Sequence, residues 1–275
     1  MSVVVLTNDD GVHAQGLAAL EKALAELGDV YVVAPEREQS ACGHALTLQR
    51  PQRPMQLGER RFSVNGTPSD CVNLAVLGFL SSTPVLVVSG INHGANLGDD
   101  VTYSGTVSAA MEGTILGVPS IAVSLADGGD FDIAGRVARL VAMRVLVGGL
   151  PDNTLLNVNV PAQPPRGIRM TRLGHRVYKD KIVEQADPRG RTHYWLGGGE
   201  ARWDDLEGTD MGAVHDGFVA LTPLHLDLTN HRAMVQLGDW QGGLNAQFLS
   251  ETGRGPRRAP LPAPPPPSKR KPRRG

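Results

Sequence analysis

Cysteine is nearly absent: Cys42 and Cys71 are the only two in 275 residues, too few for a disulfide framework and without the spacing of a metal finger. Long apolar runs are missing as well. Nothing approaches the roughly 18 residues of a membrane span, and only Met1-Ser2 precede the first apolar stretch, leaving no room for a signal peptide. A cytoplasmic protein with reduced thiols and no membrane contact is expected. No His or Cys pair has the spacing of a zinc site. Two nucleotide-binding signatures are lacking too: after Gly11 and Gly16, Leu17 stands where a P-loop needs Lys, and the Rossmann glycine fingerprint does not occur.

What is present suits one large soluble domain, with 41% hydrophobic residues. The net charge of -1 conceals a split. Eight of the 27 bases, and no acid, lie beyond Gly253, so residues 1–252 are acidic and the tail is strongly basic. That tail holds eight of the 20 prolines and is expected to be disordered with polyproline II character. Basic tails can grip nucleic acid, although the charge run is the one feature here that points to it.

Val3-Val4-Val5-Leu6 is apolar at every position, the pattern of a parallel strand buried on both faces. Leu17, Leu20, Leu24 and Leu27 recur at helical spacing, and Val30–Ala34 forms a second buried strand. Arg50–Pro54 reads as an irregular excursion. Phe62–Gly66 is a short strand, followed by a helix that Thr67 caps and Pro68 opens. Strands at 84–88, 119–124 and 154–160 alternate with helices at about 105–117 and 131–147. The alternation indicates an α/β, Rossmann-like doubly wound, mainly parallel sheet over residues 1–165. Residues 166–252 add a long hairpin arm turning at Asp187–Gly190, a return strand at 218–221 and a short helix opening at Thr229-Asn230. The arm, with Tyr178, Tyr194 and Trp195, has no sheet of its own and needs another surface, which exchange with a second subunit would supply. Residues 253–275 are the tail.

The loops carry the chemistry, because ligands of open α/β sheets bind at the carboxyl ends of strands. Asp9 and Asp10 follow the first strand, Ser40 lies in the loop after the second, and Asn92 lies after the third long one. Two carboxylates, a hydroxyl and an amide carbonyl are hard oxygen donors suited to Mg²⁺ or Mn²⁺. Ser104-Gly105-Thr106 opens a small-residue helix whose free N–H groups suit phosphate, with Asn96 beside them. A dication next to such a terminus outlines phosphoester hydrolysis: it activates water and neutralises phosphoryl charge. His44 could protonate the leaving oxygen or be a loop histidine bonded to backbone; position leaves both open. His13 and His93 are weaker candidates. Asp70 reads as a first-turn helix acid, and Glu112 as support behind the ligands.

The runs TNDDG (7–11), APEREQSACGH (34–44), NGTPSDCV (65–72), SGINHGANLG (89–98) and YSGTVSAAMEG (103–113) resemble the signature blocks of the SurE family of 5′-nucleotidases. The resemblance covers residues 3–160 in order and extends loosely to about 240. It implies a divalent-metal-dependent phosphatase of nucleoside monophosphates with one metal ion per subunit, short polyphosphate being a further substrate of some members and the choice between 5′- and 3′-monophosphates left open. It also implies a dimer or tetramer built by exchange of C-terminal elements. Carried onto this chain, it gives Asp9, Asp10, Ser40 and Asn92 as metal ligands, and Asn8, Asn96, Ser104, Gly105 and Thr106 as phosphate-side contacts. The basic tail departs from the family pattern.

A pure interaction protein built around the basic tail is one rival reading, and individual residues speak against three more. A haloacid-dehalogenase-like phosphatase spaces its two aspartates one residue apart, whereas Asp9 and Asp10 are adjacent. A receiver-like signalling module needs an Asp at the end of the third long strand, where Ser89-Gly90-Ile91-Asn92 stands. A non-enzymatic nucleotide-binding module lacks its glycine signature.

Overall fold

The computed structural model describes residues 2–177, 182–196, 202–204 and 206–252. The tail from 253 and Tyr178 lie outside the described residues. The chain divides into two units, Met1–Asp227 and Leu228–Gly275.

The first unit is built on a nine-stranded sheet. β1 (Val3–Thr7) lies at its centre with all five residues buried. β2 (Asp29–Pro35) and β5 (Leu86–His93) flank it, both parallel to it. Beyond β2 lie β4 (Arg61–Val64), parallel, and β3 (Pro54–Gly58), antiparallel. Beyond β5 come β6 (Ser120–Leu125) and β7 (Thr154–Val160), both parallel. β13 (Val219–His225) then runs antiparallel to β7, and β8 (Ile168–Met170) closes the edge parallel to β13. The chain thus winds outward from β1 in one direction and restarts at β5 in the other. The crevice between β1 and β5 is the topological switch point, where such sheets bind ligands.

Period-two alternation divides the core. Val4 and Leu6 face one side, where they pack with Leu17, Leu20 and Leu24 of α1 (Gln15–Leu24) and Ala134, Ala138 and Val141 of α4 (Phe131–Gly148). Val5 faces the other side with Val33, Cys71 and Val72 of α2 (Pro68–Asn73), and Ala109 of α3 (Gly105–Ile115). Full burial of each such side chain contributes about 1.5–3 kcal/mol before entropy is counted. Small residues let α3 lie tight on the sheet: a Cβ on Gly113 would fall 2.4 Å from Ser120 Oγ and 3.1 Å from Val87.

α2 opens with a full capping box, Thr67 Oγ1 accepting from Asp70 N and the Asp70 carboxylate from Thr67 N. After six residues it widens into a π turn at Leu74–Phe79. Other elements differ from expectation. The Arg50–Pro54 excursion leads into β3, an edge strand whose residues are all exposed, so that no buried face marked it. Residues 168–170 join the main sheet instead of the arm, and β9 (His175–Val177) pairs with β12 (Arg202–Asp204). The hairpin itself is β10 (Ile182–Ala186) with β11 (Thr192–Leu196). Its turn is held by the Asp187 carboxylate, which accepts from the Arg189 and Arg191 N–H groups. Ile182, Tyr194 and Trp195 stand exposed on it. α5 (Asp210–His215) precedes β13.

In the second unit, α6 (His231–Gln236) starts at Asn230, whose Oδ1 accepts from Ala233 N at 2.9 Å, the expected cap. α7 (Trp240–Glu251) was not expected: Trp240, Leu244 and Phe248 recur at helical spacing, but Gly242-Gly243 in the first turn reads as a break. Among the described residues no helix is long and apolar enough to cross a membrane.

Candidate active site at the switch point

Turn chemistry places the two aspartates. Asn8 is fully buried, and its Nδ2 donates to Gly11 O at 3.0 Å, closing the turn after β1 around Gly11, whose φ of +99° suits glycine. Gln39 N donates to Asp9 O at 2.7 Å and so brings the loop carrying Ser40 alongside. At β5 the pairing with β6 shifts register between Ser89 and Asn92, and Gly90 lets the backbones approach. A Cβ at Gly90 would lie 2.3 Å from Val123 O. The shift carries Asn92 to the rim, where His93 N donates to Asp10 Oδ2 at 3.4 Å.

A cavity of about 280 Å³ lies there, lined by Asp9, Asp10, Ser40, Asn92, Asn96 and Ser104 together with rim residues. All four expected cation ligands therefore share one space. Thr106 Oγ1 donates to Asp9 Oδ1 and lies 3.4 Å from Asn92 Oδ1, so a carboxylate from β1 and a carbonyl from β5 converge on one hydroxyl. Asn92 Nδ2 donates to Gly94 O at 2.8 Å, which keeps Oδ1 turned toward that point. Ser40 Oγ donates to Glu38 Oε1 at 2.6 Å, leaving its lone pairs available.

The electrostatics are uncompensated. Burial pushes the Asp9 carboxyl up even though Thr106 and the Gly105 and Thr106 N–H groups bond to it. Burial, then the charge of Asp9, pushes Asp10 up. No Lys or Arg among the described residues pairs with either. Two such carboxylates with neutral oxygens beside them form a hard donor set that fits a divalent cation. Among the described residues no group of three His, Cys, Asp or Glu converges anywhere, so the set depends on Ser40 and Asn92 to complete it. Burial, and then the charge of nearby Asp9, raise the Cys42 thiol to about 11.

Four expected positions differ in placement. Gly105, expected to contact phosphate, does not line the cavity, and its N–H faces the Asp9 carboxylate. Asn8 is enclosed in its turn and does not line the cavity. Thr106 is fully buried and turned to Asp9, so it orients a carboxylate where a phosphate contact was expected. His44 does not reach the cavity either: its Nε2 lies 2.5 Å from Glu112 Oε2. Other supports were not anticipated. Asn96 Nδ2 donates to Ser124 Oγ, Asn96 N to Asn159 Oδ1, and Asn157 and Asn159 donate to Asn96 O. Asn157 and Asn159 interrupt the apolar run of β7 at alternate positions, and that interruption is the signal that could have found them. Asp210, fully buried, accepts from Gly98 N and Gly174 N and ties down the loop that follows β5.

The sequence model described as Survival protein SurE matches residues 4–180. This chain belongs to the SurE family. Its SurE relatives include the 5′-nucleotidase SurE of Syntrophotalea carbinolica, 56% identical over 242 residues, covering 86% of this chain and 97% of the relative. That of Geotalea uraniireducens is 53% identical over 243 residues, covering 86% and 98%. The crystal structure of the SurE protein from Aquifex aeolicus superimposes with a TM-score of 0.79 at 44% identity, covering 87% of this chain and 99% of that one. In this SurE chain the approach of α3 to Asp9 requires glycine: a Cβ on Gly105 would lie 2.8 Å from Asp9 Cβ and 3.0 Å from Cys42 Sγ. Gly105→Ala should therefore cost about 1–3 kcal/mol by overpacking. A lowered urea midpoint would show it, and an unchanged midpoint would mean the contact gives way freely.

Proposed function

We propose that this protein is a divalent-metal-dependent phosphomonoesterase that hydrolyses nucleoside 5′-monophosphates, with Asp9, Asp10, Ser40 and Asn92 holding one Mg²⁺ or Mn²⁺. The observation that carries the reading is the meeting of those four oxygen donors in one cavity with the amino end of α3. The printed name of its relatives, 5′-nucleotidase SurE, points to the same substrate class.

When bound, the cation supplies Lewis acidity toward a phosphoryl oxygen and toward water. The chain does the positioning. Thr106 and the first N–H groups of α3 fix Asp9. Ser104 Oγ accepts from Val107 N at 3.1 Å, which leaves its hydroxyl hydrogen free to donate to a phosphate oxygen. Asn96 commits one amide hydrogen to Ser124 and keeps the second for the same purpose. A homo-oligomer, dimer or tetramer, accords with the exposed Ile182, Tyr194 and Trp195 of the hairpin.

Turnover of 5′- and 3′-nucleotides, ribose 5-phosphate and short polyphosphate, each with Mg²⁺, Mn²⁺ or chelator, tests the reading. Metal-dependent release of phosphate from 5′-monophosphates is expected; nucleotide binding without turnover under every condition would favour a non-enzymatic binding module. Within the same panel, Tyr103 stands 62% exposed at the cavity rim, its carbonyl accepting from Gly43 N at 3.1 Å. Stacking of a base on an aromatic ring is worth about 1–3 kcal/mol. Tyr103→Ala should raise KM for a nucleoside 5′-monophosphate about fivefold or more, with ribose 5-phosphate unchanged. An equal change for both would remove the base from Tyr103.

A further inference from the structure

His44 lies in the same loop as Ser40 yet does not line the cavity. The loop reaches the rim through Gln39 N donating to Asp9 O and Gly43 N donating to Tyr103 O. At Gly43, with φ of +57°, it turns away and crosses toward α2 and α3. Three side-chain contacts hold it there. His44 Nε2 meets Glu112 Oε2 at 2.5 Å, Thr67 Oγ1 donates to Ala45 O at 2.7 Å, and Thr47 N donates to Asp70 Oδ1 at 2.9 Å. Glu112 is only 6% exposed, and its other oxygen accepts from Asn73 Nδ2 at 2.6 Å, so the carboxylate is fixed from two sides. The His44 hydrogen bond, outweighing burial, holds that carboxyl below its usual range.

Glu112 also lies on α3, the helix whose first turn anchors Asp9. Seven residues separate it from Gly105, about 10 Å along the axis at 1.5 Å per residue. A group held there is remote from the phosphate end of the cavity, but it couples the Ser40 loop to the element that fixes Asp9. We propose that His44 and Glu112 form a clasp that sets the position of Ser40 toward the cation, which makes both of them positioning residues and leaves His44 no part in protonating the leaving group. The proposal rests on the metal-site reading above.

The test compares His44→Ala, His44→Gln and Glu112→Ala in the full chain. Calorimetry gives Mn²⁺ affinity, hydrogen exchange over residues 39–47 gives loop opening, and kcat is measured on a nucleoside 5′-monophosphate and on p-nitrophenyl phosphate. Partners placed behind metal ligands typically alter affinity 10–100-fold, so both Ala variants should weaken Mn²⁺ binding at least about tenfold and quicken exchange. His44→Gln, whose amide can still donate to Glu112, should restore most of both. Activity should fall by the same factor on the two substrates and recover at saturating Mn²⁺. A proton donor behaves differently, because p-nitrophenolate leaves without protonation. Loss confined to the nucleotide, with Gln as poor as Ala and Mn²⁺ affinity unchanged, would overturn the clasp. Should no phosphoester be hydrolysed, the metal-site reading fails on its own, and unaltered exchange in His44→Ala would still refute the clasp.

Discussion

Asp9→Asn should lower kcat on a nucleoside 5′-monophosphate by about 10²-fold or more at saturating Mn²⁺, since removing one preorganised electrostatic group costs on that scale. The substitution keeps the side-chain shape, and the amide oxygen can still accept from Thr106. What it removes is the charge, and it turns an NH₂ group toward donors on the first turn of α3 that already face Asp9. Stopped assays across a Mn²⁺ titration check this. Turnover within a fewfold of the parent would show that Asp9 is only a turn residue.

Stripping divalent cations should abolish turnover reversibly and lower the melting temperature, both restored by Mg²⁺ or Mn²⁺. A ligand at one hundred times its Kd adds about 2.7 kcal/mol to a fold that binds it. The pH dependence of the stripped protein has a definite sign. Asp9 and Asp10 have folded pKa values above the ordinary 3.8, so between the two values the folded chain holds more protons than the unfolded one. Their penalty is absent below that ordinary value and grows as pH rises through the raised folded range. Asp10→Asn should therefore raise the melting temperature of the stripped protein at neutral pH while weakening activity. Calorimetric scans at acidic and neutral pH, with and without cation, measure it. A melting temperature indifferent to both cation and the Asp10 substitution would sink the idea that the pair awaits a counter-charge.

The central strands were legible because Val3–Leu6 and Val30–Ala34 are apolar on both faces, which only a covered parallel sheet satisfies. Asp9, Asp10, Ser40 and Asn92 followed from them, since each lies just past a strand end, and the structure does bring the four to one cavity. Local pattern does not encode where a side chain turns. Thr106 at a helix start looks the same whether it meets a phosphate or a carboxylate, and His44 the same whether it meets a substrate or Glu112. Asp210 went unread because the donors to its carboxylate, Gly98 and Gly174, are 112 and 36 residues away. β3, Pro-Met-Gln-Leu-Gly, went unread because it is short, opens on a proline and buries neither face. α7 went unread because Gly242-Gly243 in its first turn looks like a break.

The amides of Asn157 and Asn159, with Ser124, hold Asn96 from beneath. They are dipoles whose charge never changes with acidity, so this support behaves alike in mild acid and mild base. A phosphate monoester is different, losing its second proton near pH 6. The ground beneath Asn96 is thus blind to protons, and a bound ester would gain its second negative charge over a foundation that does not respond to it.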